Sequence, residues 1–443
     1  MPGIDRKELM SLQQKLRSRD ETEAANAARA LANLSLDAGN RAVIGGLRGL
    51  FESLQTLLNQ GSSEAKAQAL RALVNLSLNA GNQEDMGRVD GLFESLKTFL
   101  DQKSPEVQAD AARALANLSL WYADNRAVMG QVTGLFKSLQ TLLDQGSPEA
   151  KEYAVCALAN LSLDADNRVA MGRVPGLFES LQTLLHQGSP LAQADAARAL
   201  ANLSLDAGNQ AAMGQVTGLF ESLQTLLDQE SPAAQENAVY ALANLSLDAG
   251  NQELLGRVPG LFKSLQTLLG HESPKVQEYA AGALTYLLDH ETCTAQVVRV
   301  FLTVPAPNKD DAFFKFMLQQ VSKDALVRGF QGMCIEAFSE TEKGKETKKL
   351  LVEHWGEGVT QNKMGSLFGA LMTAPGWFKR SDPRRGRWGQ CRAALVSAQA
   401  QMSQEQTRVR CSFFSAAIPG KKELELQRRG PADEQKEGAN GIK

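Results

Sequence analysis

ALANLSL, residues 30–36, is an apolar run interrupted by one Asn, and it returns along the chain. Later copies begin at Ala114, Ala157, Ala199 and Ala241, and a variant, ALVNLSL, begins at Ala72. Successive copies start 42 residues apart, except for one step of 43 between Ala114 and Ala157. Self-similarity at such a period predicts a solenoid, in which each repeat buries its apolar face against its neighbours.

The array is expected to hold about seven repeats in residues 1–290. The longer step comes from LSLWYADN, residues 118–125, where other copies read LSLDAGN or close to it. A degraded seventh copy, GALTYLLD at Gly282–Asp289, keeps the register. Residues 3–36 align with only the second and third helices of a repeat, as in a terminal capping repeat.

One repeat, residues 125–164, predicts three helices of increasing length. NRAVMGQV is a short periodic segment that Asn125 can cap. TGLFKSLQTLL carries its Leu and Phe residues on one helical face. Ser147 and Pro148 are typical of a helix start, and they open the longest segment, PEAKEYAVCALANLSL.

The third helix is expected to bury Ala154, Ala157, Leu158 and Leu161, which fall in one arc at 100° per residue. Asn160 lies at the edge of that arc. We therefore predict that this Asn is not buried in the core, and that the third helices present a mostly polar stripe side by side.

This pattern of short, longer and longest helix, closed by ALxNLS and followed by an Asn, resembles the armadillo repeat family over roughly residues 2–289. The resemblance implies an all-α fold, a right-handed α-solenoid (armadillo-type superhelix) of three-helix repeats. It also implies that the third helices line a concave groove, where Asn side chains hold the main chain of an extended partner.

The resemblance carries that role onto one Asn per repeat, and a carboxamide offers both a donor and an acceptor. These residues are Asn33, Asn75, Asn117, Asn160, Asn202 and Asn244. The seventh copy has Tyr286 at this position, so the series is expected to end near Asn244.

The position four residues before the Asn gives a hypothesis about the partner. It holds Arg29, Arg71, Arg113, Cys156, Arg198 and Tyr240, where the family's nuclear import adaptors have Trp. Arg attracts carboxylates or phosphates, so the arginines and Tyr240 are candidate contacts for an extended, acidic partner, as in the catenin-like branch. Asp110 and Asp195 weigh against this, because they can neutralise Arg113 and Arg198.

Two other interpretations of these residues stay open: they are ordinary solvated side chains, or the Asn binds the neighbouring repeat's backbone and sets the stacking geometry. The predicted function is that of a protein-binding scaffold or adaptor. The alternatives are a nuclear transport adaptor for targeting peptides, which the missing Trp disfavours, and a substrate-binding subunit of a ubiquitin-ligase or kinase complex. Specificity is expected from the irregular positions, Tyr153, Cys156, Tyr240, Trp121 and Tyr122.

Composition gives no indication of catalysis. The net charge is only -3, and the five cysteines are odd in number and contain no CxxC pair, which is typical of a reducing compartment. No secretory signal, membrane span, metal-ligand spacing or phosphate loop is visible, so we predict a cytoplasmic or also nuclear protein that is not an enzyme and has no cofactor. The NLS triplets are then expected to be unglycosylated.

The last third of the chain is expected to differ from the array. Residues 291–374 read as diverged helical repeats or a helical cap, with amphipathic patterns such as DDAFFKFMLQQV. Residues 375–443 read as a basic, largely disordered tail. Its arginines, interleaved with Trp377 and Trp388, are a candidate site for nucleic acid or anionic lipid. The alternatives are a solvated linker and a tail that folds back on an acidic patch of the array.

Overall fold

The computed structural model describes residues 6–229 and 231–290, together with residues 293, 297, 312 and 316. Within this part of the chain there are twenty α-helices and no strand. The chain divides into two compact units, Met1–Gly260 and Leu261–Lys443. The all-α repeat fold expected from the sequence is confirmed.

The helices follow the period of the sequence. In chain order, repeat by repeat, they are α1 (Arg6–Leu16) and α2 (Glu21–Leu34); α3 (Ala38–Gly45), α4 (Leu50–Gln60) and α5 (Ser63–Leu76); α6 (Ala80–Gly87), α7 (Leu92–Leu100) and α8 (Pro105–Leu118); α9 (Ala123–Gln131), α10 (Leu135–Gln145) and α11 (Pro148–Leu161); α12 (Ala165–Gly172), α13 (Leu177–Gln187) and α14 (Pro190–Leu203); α15 (Ala207–Gly214), α16 (Leu219–Leu227) and α17 (Pro232–Leu245); and α18 (Ala249–Leu255). The second compact unit contains α19 (Leu261–Leu268) and α20 (Pro274–Leu287), which pack against each other.

In the first compact unit, helices of the same class stack in three layers. Each third helix contacts the next one in the series α2, α5, α8, α11, α14 and α17. The second helices make the same kind of contact in the series α1, α4, α7, α10, α13 and α16, and the first helices in the series α3, α6, α9, α12, α15 and α18. Leu and Ala side chains fill the space between the layers, and the predicted core residues Ala154, Ala157, Leu158 and Leu161 are fully buried. Each repeat therefore shares its core with its neighbours.

Capping residues fix where the helices begin. The Ser147 hydroxyl accepts a hydrogen bond from the Ala150 N–H, and Pro148 follows it at the first helical position, as predicted. Each second helix from α4 onward is preceded by a glycine with φ between 77° and 81°, a conformation that other residues adopt at a steric cost. These glycines are Gly49, Gly91, Gly134, Gly176, Gly218 and Gly260.

The predicted cap of the short first helix is wrong. Asn125 does not precede α9 but lies inside it, and the N-cap residue is Tyr122, whose side chain makes no capping bond. In the other short helices the side chain before the helix is the cap, as with Asp164, which accepts from the Asn167 N–H. The inserted residue in this repeat has displaced the usual Asp, and Asn125 has another role, described below.

The amphipathic segments expected after residue 290 and the basic tail lie outside the described residues, apart from the four single positions named above. The domain boundaries at 290/291 and 374/375 stay predictions.

Candidate functional site

The candidate site is the surface of the stacked third helices in the first compact unit. We call this surface the third-helix face. The six Asn residues of the NLS motifs form the Asn ladder on it, and the residues four positions earlier form the Arg row. The structure brings both sets onto neighbouring helices, one member of each per repeat.

The Asn ladder is more buried than expected. Asn33 is exposed and Asn75 and Asn117 are half-buried, but Asn160, Asn202 and Asn244 are buried. The prediction that the Asn lies outside the core is wrong for the last three. The physical reason is that each of these side chains points toward the preceding repeat.

From the second repeat onward, each ladder carboxamide donates a hydrogen bond to the third helix before it. The Nδ2 atom of Asn75 donates to Ala32 O (2.9 Å), that of Asn117 to Ser77 Oγ (3.0 Å), and that of Asn160 to Ala116 O (3.0 Å). Asn202 Nδ2 donates to Ala159 O and Ser162 Oγ (3.2 and 3.0 Å), and Asn244 Nδ2 donates to Ala201 O and Ser204 Oγ (3.4 and 3.1 Å). A carbonyl oxygen only accepts, so the amide nitrogen must face it. These bonds support the interpretation in which the Asn sets the stacking geometry.

The Ser of the same motif completes this connection. Ser162 Oγ donates its proton to Ala159 O at 2.8 Å, so its lone pairs remain to accept the proton from Asn202. The same bond to the carbonyl three residues earlier occurs at Ser35, Ser77, Ser119, Ser204 and Ser246. In the second to fifth repeats the NLS triplet is therefore a connector: its Ser accepts from the next repeat, and its Asn donates to the previous one.

The carboxamide oxygens of the Asn ladder differ from its Nδ2 donors in how few of them take part in hydrogen bonds. Asn160 Oδ1 accepts a hydrogen bond from Arg198 at 2.9 Å. In the described part of the chain, no hydrogen bond reaches Oδ1 of the other five ladder residues. Asn33, Asn75 and Asn117, whose side chains are exposed or half-buried, therefore offer acceptors on the third-helix face, while the Nδ2 donors from Asn75 onward are engaged in stacking.

The Arg row is partly neutralised by acidic residues. Arg198 pairs with Asp195 at 2.8 Å, which confirms that this aspartate neutralises it, and Arg29 pairs with Glu64 of the next repeat at 3.3 Å. Arg71 is exposed. Arg113 lies over the Tyr153 ring, with its guanidinium carbon 5.5 Å from the ring centre, a cation–π contact.

Two titratable groups on this face have shifted pKa values. Burial raises the pKa of Asp110, against the opposing effect of Arg71 and Arg113, and Glu149 adds to the rise. Burial also raises the pKa of the Cys156 thiol to about 11, with Asp195 adding to the rise and Arg198 opposing it. A protonated thiol is a poor nucleophile, so Cys156 is a half-buried side chain of low reactivity.

Sequence reasoning missed a second series of Asn residues, in the short first helices. Each donates twice to the preceding repeat: Asn209 Nδ2 bonds Arg168 O of the short helix α12 and Leu203 O of the third helix α14, both at 3.0 Å. Asn82, Asn125, Asn167 and Asn251 make the equivalent pair of bonds. Asn125 thus stacks repeats and does not cap α9.

A glycine makes room for each of these Asn side chains. A Cβ atom added to Gly172 would overlap Oδ1 of Asn209, and the same holds for Gly45, Gly87, Gly130 and Gly214 against the Asn of the following repeat. The signal was present in the sequence, because an Asn followed five residues later by Gly occurs in every complete repeat.

The residue after this Asn covers the end of the third helix. Arg168 Nη1 donates to the carbonyls of Ser162 (3.2 Å) and Leu163 (3.1 Å), and Arg41 and Arg126 make the same kind of contact. In the remaining repeats Gln83, Gln210 and Gln252 donate to the equivalent Ser carbonyl. Helix ends leave such carbonyls without intrahelical donors, so these side chains stabilise the C-terminus of each third helix.

Among the described residues, no group of three His, Cys, Asp or Glu side chains is arranged to hold a metal ion. In the same residues, no helix combines the length and apolar character that crossing a bilayer requires.

Comparison with known proteins gives a likeness of fold. No protein-family model and no curated protein matches the sequence. Among solved structures, an engineered protein from the Northeast Structural Genomics Consortium is similar with a TM-score of 0.61 and 23% identity, over 88% of this chain and 98% of that chain. A structure reported for a phosphorylation switch that controls the interaction between cadherin and beta-catenin is similar with a TM-score of 0.62 and 18% identity, over 90% of this chain and 77% of that chain. At these identities the likeness shows the all-α helical repeat fold alone.

Proposed function

We propose that this chain is a protein-binding scaffold of armadillo type, which holds an extended segment of a partner along the third-helix face. The observation that carries the proposal is the presentation, on three successive repeats, of a carboxamide oxygen that accepts no hydrogen bond within the described residues and lies beside an arginine of the Arg row, at Asn33, Asn75 and Asn117. An extended peptide has N–H groups at regular intervals, and such groups can donate to carboxamide oxygens whatever the peptide's sequence. The proposal assigns the chain no catalytic step.

The structural likeness gives this proposal a precedent. The neighbour described for cadherin and beta-catenin comes from work on an interaction between proteins. We infer the same general role for this chain, with the partner left unnamed. A cytoplasmic location, with access to the nucleus, goes with the proposal and is tested by imaging a fluorescently tagged chain.

The preference for an acidic partner is assigned to Arg71 and Arg113. Arg29 and Arg198 already have carboxylate partners, whereas Arg71 is exposed and Arg113 contacts an aromatic ring. Asp110 lies within electrostatic range of both Arg71 and Arg113, and its raised pKa shows that burial disfavours its charge. A peptide carboxylate that reaches these two arginines would form charge-assisted hydrogen bonds.

The test is binding of labelled acidic, neutral and basic extended peptides to the full chain, followed by fluorescence anisotropy. We expect the acidic peptides to bind most tightly. The double variant Arg71→Gln/Arg113→Gln should weaken that binding by about tenfold or more, as expected for the loss of two charge-assisted contacts.

The matched control is Arg88→Gln/Arg173→Gln, which removes two exposed arginines at the ends of the short helices α6 and α12. It should bind as the wild type does. Equal losses in both double variants would show only a general effect of charge, and the absence of binding by any peptide would reject the scaffold function on this face.

A further inference from the structure

A row of large apolar side chains borders the third-helix face, and its first four members are exposed while the last two, Leu205 and Leu247, are half-buried. Each NLS triplet is followed by Leu, at positions 36, 78, 120, 163, 205 and 247, and we call these residues the Leu row. Leu36 is 64% exposed, and Leu78, Leu120 and Leu163 are 42–48% exposed. Exposed apolar residues are ordinary when they are scattered, but a row of them at one place in successive repeats forms a patch of the kind used for binding.

The backbone places the Leu row directly beside the Asn ladder. The N–H of Leu36 donates to Asn33 O at 3.3 Å, and the N–H of Leu120 donates to Asn117 O at 3.2 Å. Ser35 and Ser119 between them keep right-handed helical angles. Each Leu therefore lies one helical turn beyond its Asn, and the row continues the third-helix face at its C-terminal edge.

The inserted residue of the third repeat enlarges this edge. Trp121 follows Leu120 directly and is 67% exposed. The Asp or Asn that caps the other short helices is replaced by Tyr122, which makes no capping bond. The edge is therefore most apolar at this repeat.

Positive charge accompanies the apolar row. Arg41 donates to the Leu36 carbonyl at 3.0 Å, and Arg126 donates to the Leu120 carbonyl at 3.2 Å, so each guanidinium is held beside a Leu of the row. Both side chains are partly exposed. Within the described residues neither forms an ion pair, in contrast to Arg29 and Arg198 of the Arg row. A guanidinium has five N–H groups, so donors remain after the contacts with main-chain carbonyls.

We propose that this C-terminal edge binds the apolar side chains of the partner segment, and that Arg41 and Arg126 bind carboxylates placed next to those side chains. The inference rests on the proposed function and specifies the partner: an extended protein segment in which apolar and acidic residues recur together. The Asn ladder holds its main chain, the Leu row and Trp121 cover its apolar side chains, and the two edge arginines select its acidic ones. The apolar contact adds affinity because it removes exposed Leu surface from water.

The chain supplies its own matched variants for the test. Arg41→Gln/Arg126→Gln removes charge but keeps the cap, because Gln83, Gln210 and Gln252 already make this contact in other repeats. Leu36→Ser/Leu78→Ser/Leu120→Ser removes apolar surface at exposed positions. Val43→Ser/Val128→Ser is the control, because these side chains are 52% and 49% exposed on the short helices.

The probes are labelled peptides in which Leu, Asp and Gly recur in turn, with versions that carry Ser in place of Leu, Asn in place of Asp, or Lys in place of Asp. Anisotropy with the full chain should show the Leu–Asp peptide binding most tightly. The Leu variant should lose about tenfold or more for that peptide and little for the Ser version. The Arg variant should lose the preference for Asp over Asn. Thermal melts should match the wild type in all three variants.

Other outcomes would overturn the inference. If the Leu and Arg variants bind as the wild type does while Arg71→Gln/Arg113→Gln loses binding, the edge has no role and the proposed function stands. If no peptide binds the wild type, both fail together. The wild type could instead bind anionic phosphatidylserine vesicles, with the Leu variant losing that binding and not peptide binding; this result would assign the edge to lipid. If the wild type self-associates in sedimentation and the Leu variant loses self-association and not peptide binding, the edge is assigned to a second copy of the chain.

Discussion

At the scale of single residues, the buried asparagines among the described residues join one repeat to the next. Asn202 and Asn209 illustrate this: they belong to successive repeats, and each donates to a backbone carbonyl of the repeat before its own. A buried amide that loses its partner leaves an unsatisfied polar group, which costs about 1–3 kcal/mol. Stability should therefore be sensitive to small changes at these contacts.

Gly172→Ala should destabilise the chain by about 2–4 kcal/mol, because the added Cβ displaces Asn209 and breaks its two hydrogen bonds. The control is Gly208→Ala, whose Cβ would meet only the Asp206 side chain at 3.1 Å, and whose position is occupied by Asp124 and Asp166 in other repeats. Guanidinium denaturation measures both. Equal stability of the two variants would contradict the role given to Asn209.

Cys156 should react slowly with iodoacetamide in the folded chain. Its raised pKa of about 11 means that the thiolate fraction at pH 8 is lower than that of an ordinary thiol, on the order of a hundredfold by the usual cysteine pKa. The rate should rise about tenfold per pH unit between pH 8 and pH 10, because the thiol stays mostly protonated over that range. Mass spectrometry of the peptide that contains Cys156 follows the reaction, and the same peptide free in solution is the control. Equal rates for the two would contradict the shift.

At the scale of helices, the connection between neighbouring third helices depends on pairs of residues from different repeats. Ser162 on one side and Asn202 on the other share a hydrogen bond at 3.0 Å, and Ser162 also satisfies a carbonyl of its own helix. The layer of third helices is therefore held by a chain of side-chain bonds that crosses every repeat boundary from the second repeat to the sixth.

A double-mutant cycle tests this connection. Asn202→Ala and Ser162→Ala should each destabilise the protein, and the two effects should be coupled by about 0.5–2 kcal/mol, because the residues share one bond. Asn202→Ala with Ser204→Ala is the control pair, since Ser204 accepts from Asn244 and not from Asn202. That pair should be additive. Coupling of the same size in both cycles would show that the bond between repeats is not its source.

The helices and the core could be predicted from the sequence, because the repeat period and the spacing of apolar residues indicate them directly. Ser147, Pro148 and the four core residues of α11 lie as expected. The stacking roles of Asn125 and Asn160 were not predictable in the same way. A helical projection places a side chain on its own helix, but it does not show the carbonyl of the next helix that the side chain reaches. For the Arg row, Asp195 did indicate in advance that Arg198 would be paired, whereas no ion pair joins Asp110 to Arg113 among the described residues.

At the scale of the whole array, the repeats of the first compact unit are nearly interchangeable. Each contributes the same donors to the repeat before it and the same acceptors to the repeat after it. In such a linear array, stability is approximately a sum of terms for each repeat and each boundary between repeats. Removing one whole repeat should leave every remaining boundary of the same type.

Deleting residues 165–206 joins Asp164 to Ala207 and removes one period of 42 residues. We expect the shortened chain to fold cooperatively, with its denaturant m-value reduced by roughly a seventh, in proportion to the surface it no longer buries. Circular dichroism during denaturation measures this. As the control, deleting only α12 and α13, which leaves α11 joined to α14 without the helices between them, should prevent folding. A loss of structure in both deletions would show that the repeats are not equivalent.

This interchangeability has a consequence for any long ligand. On a surface that repeats, a bound segment can shift by one whole repeat and find nearly the same contacts, so that its position along the array is degenerate. Trp121 removes the degeneracy, because the inserted residue and its exposed indole occur in a single repeat. The insertion therefore defines a fixed origin from which the register of a bound chain can be set.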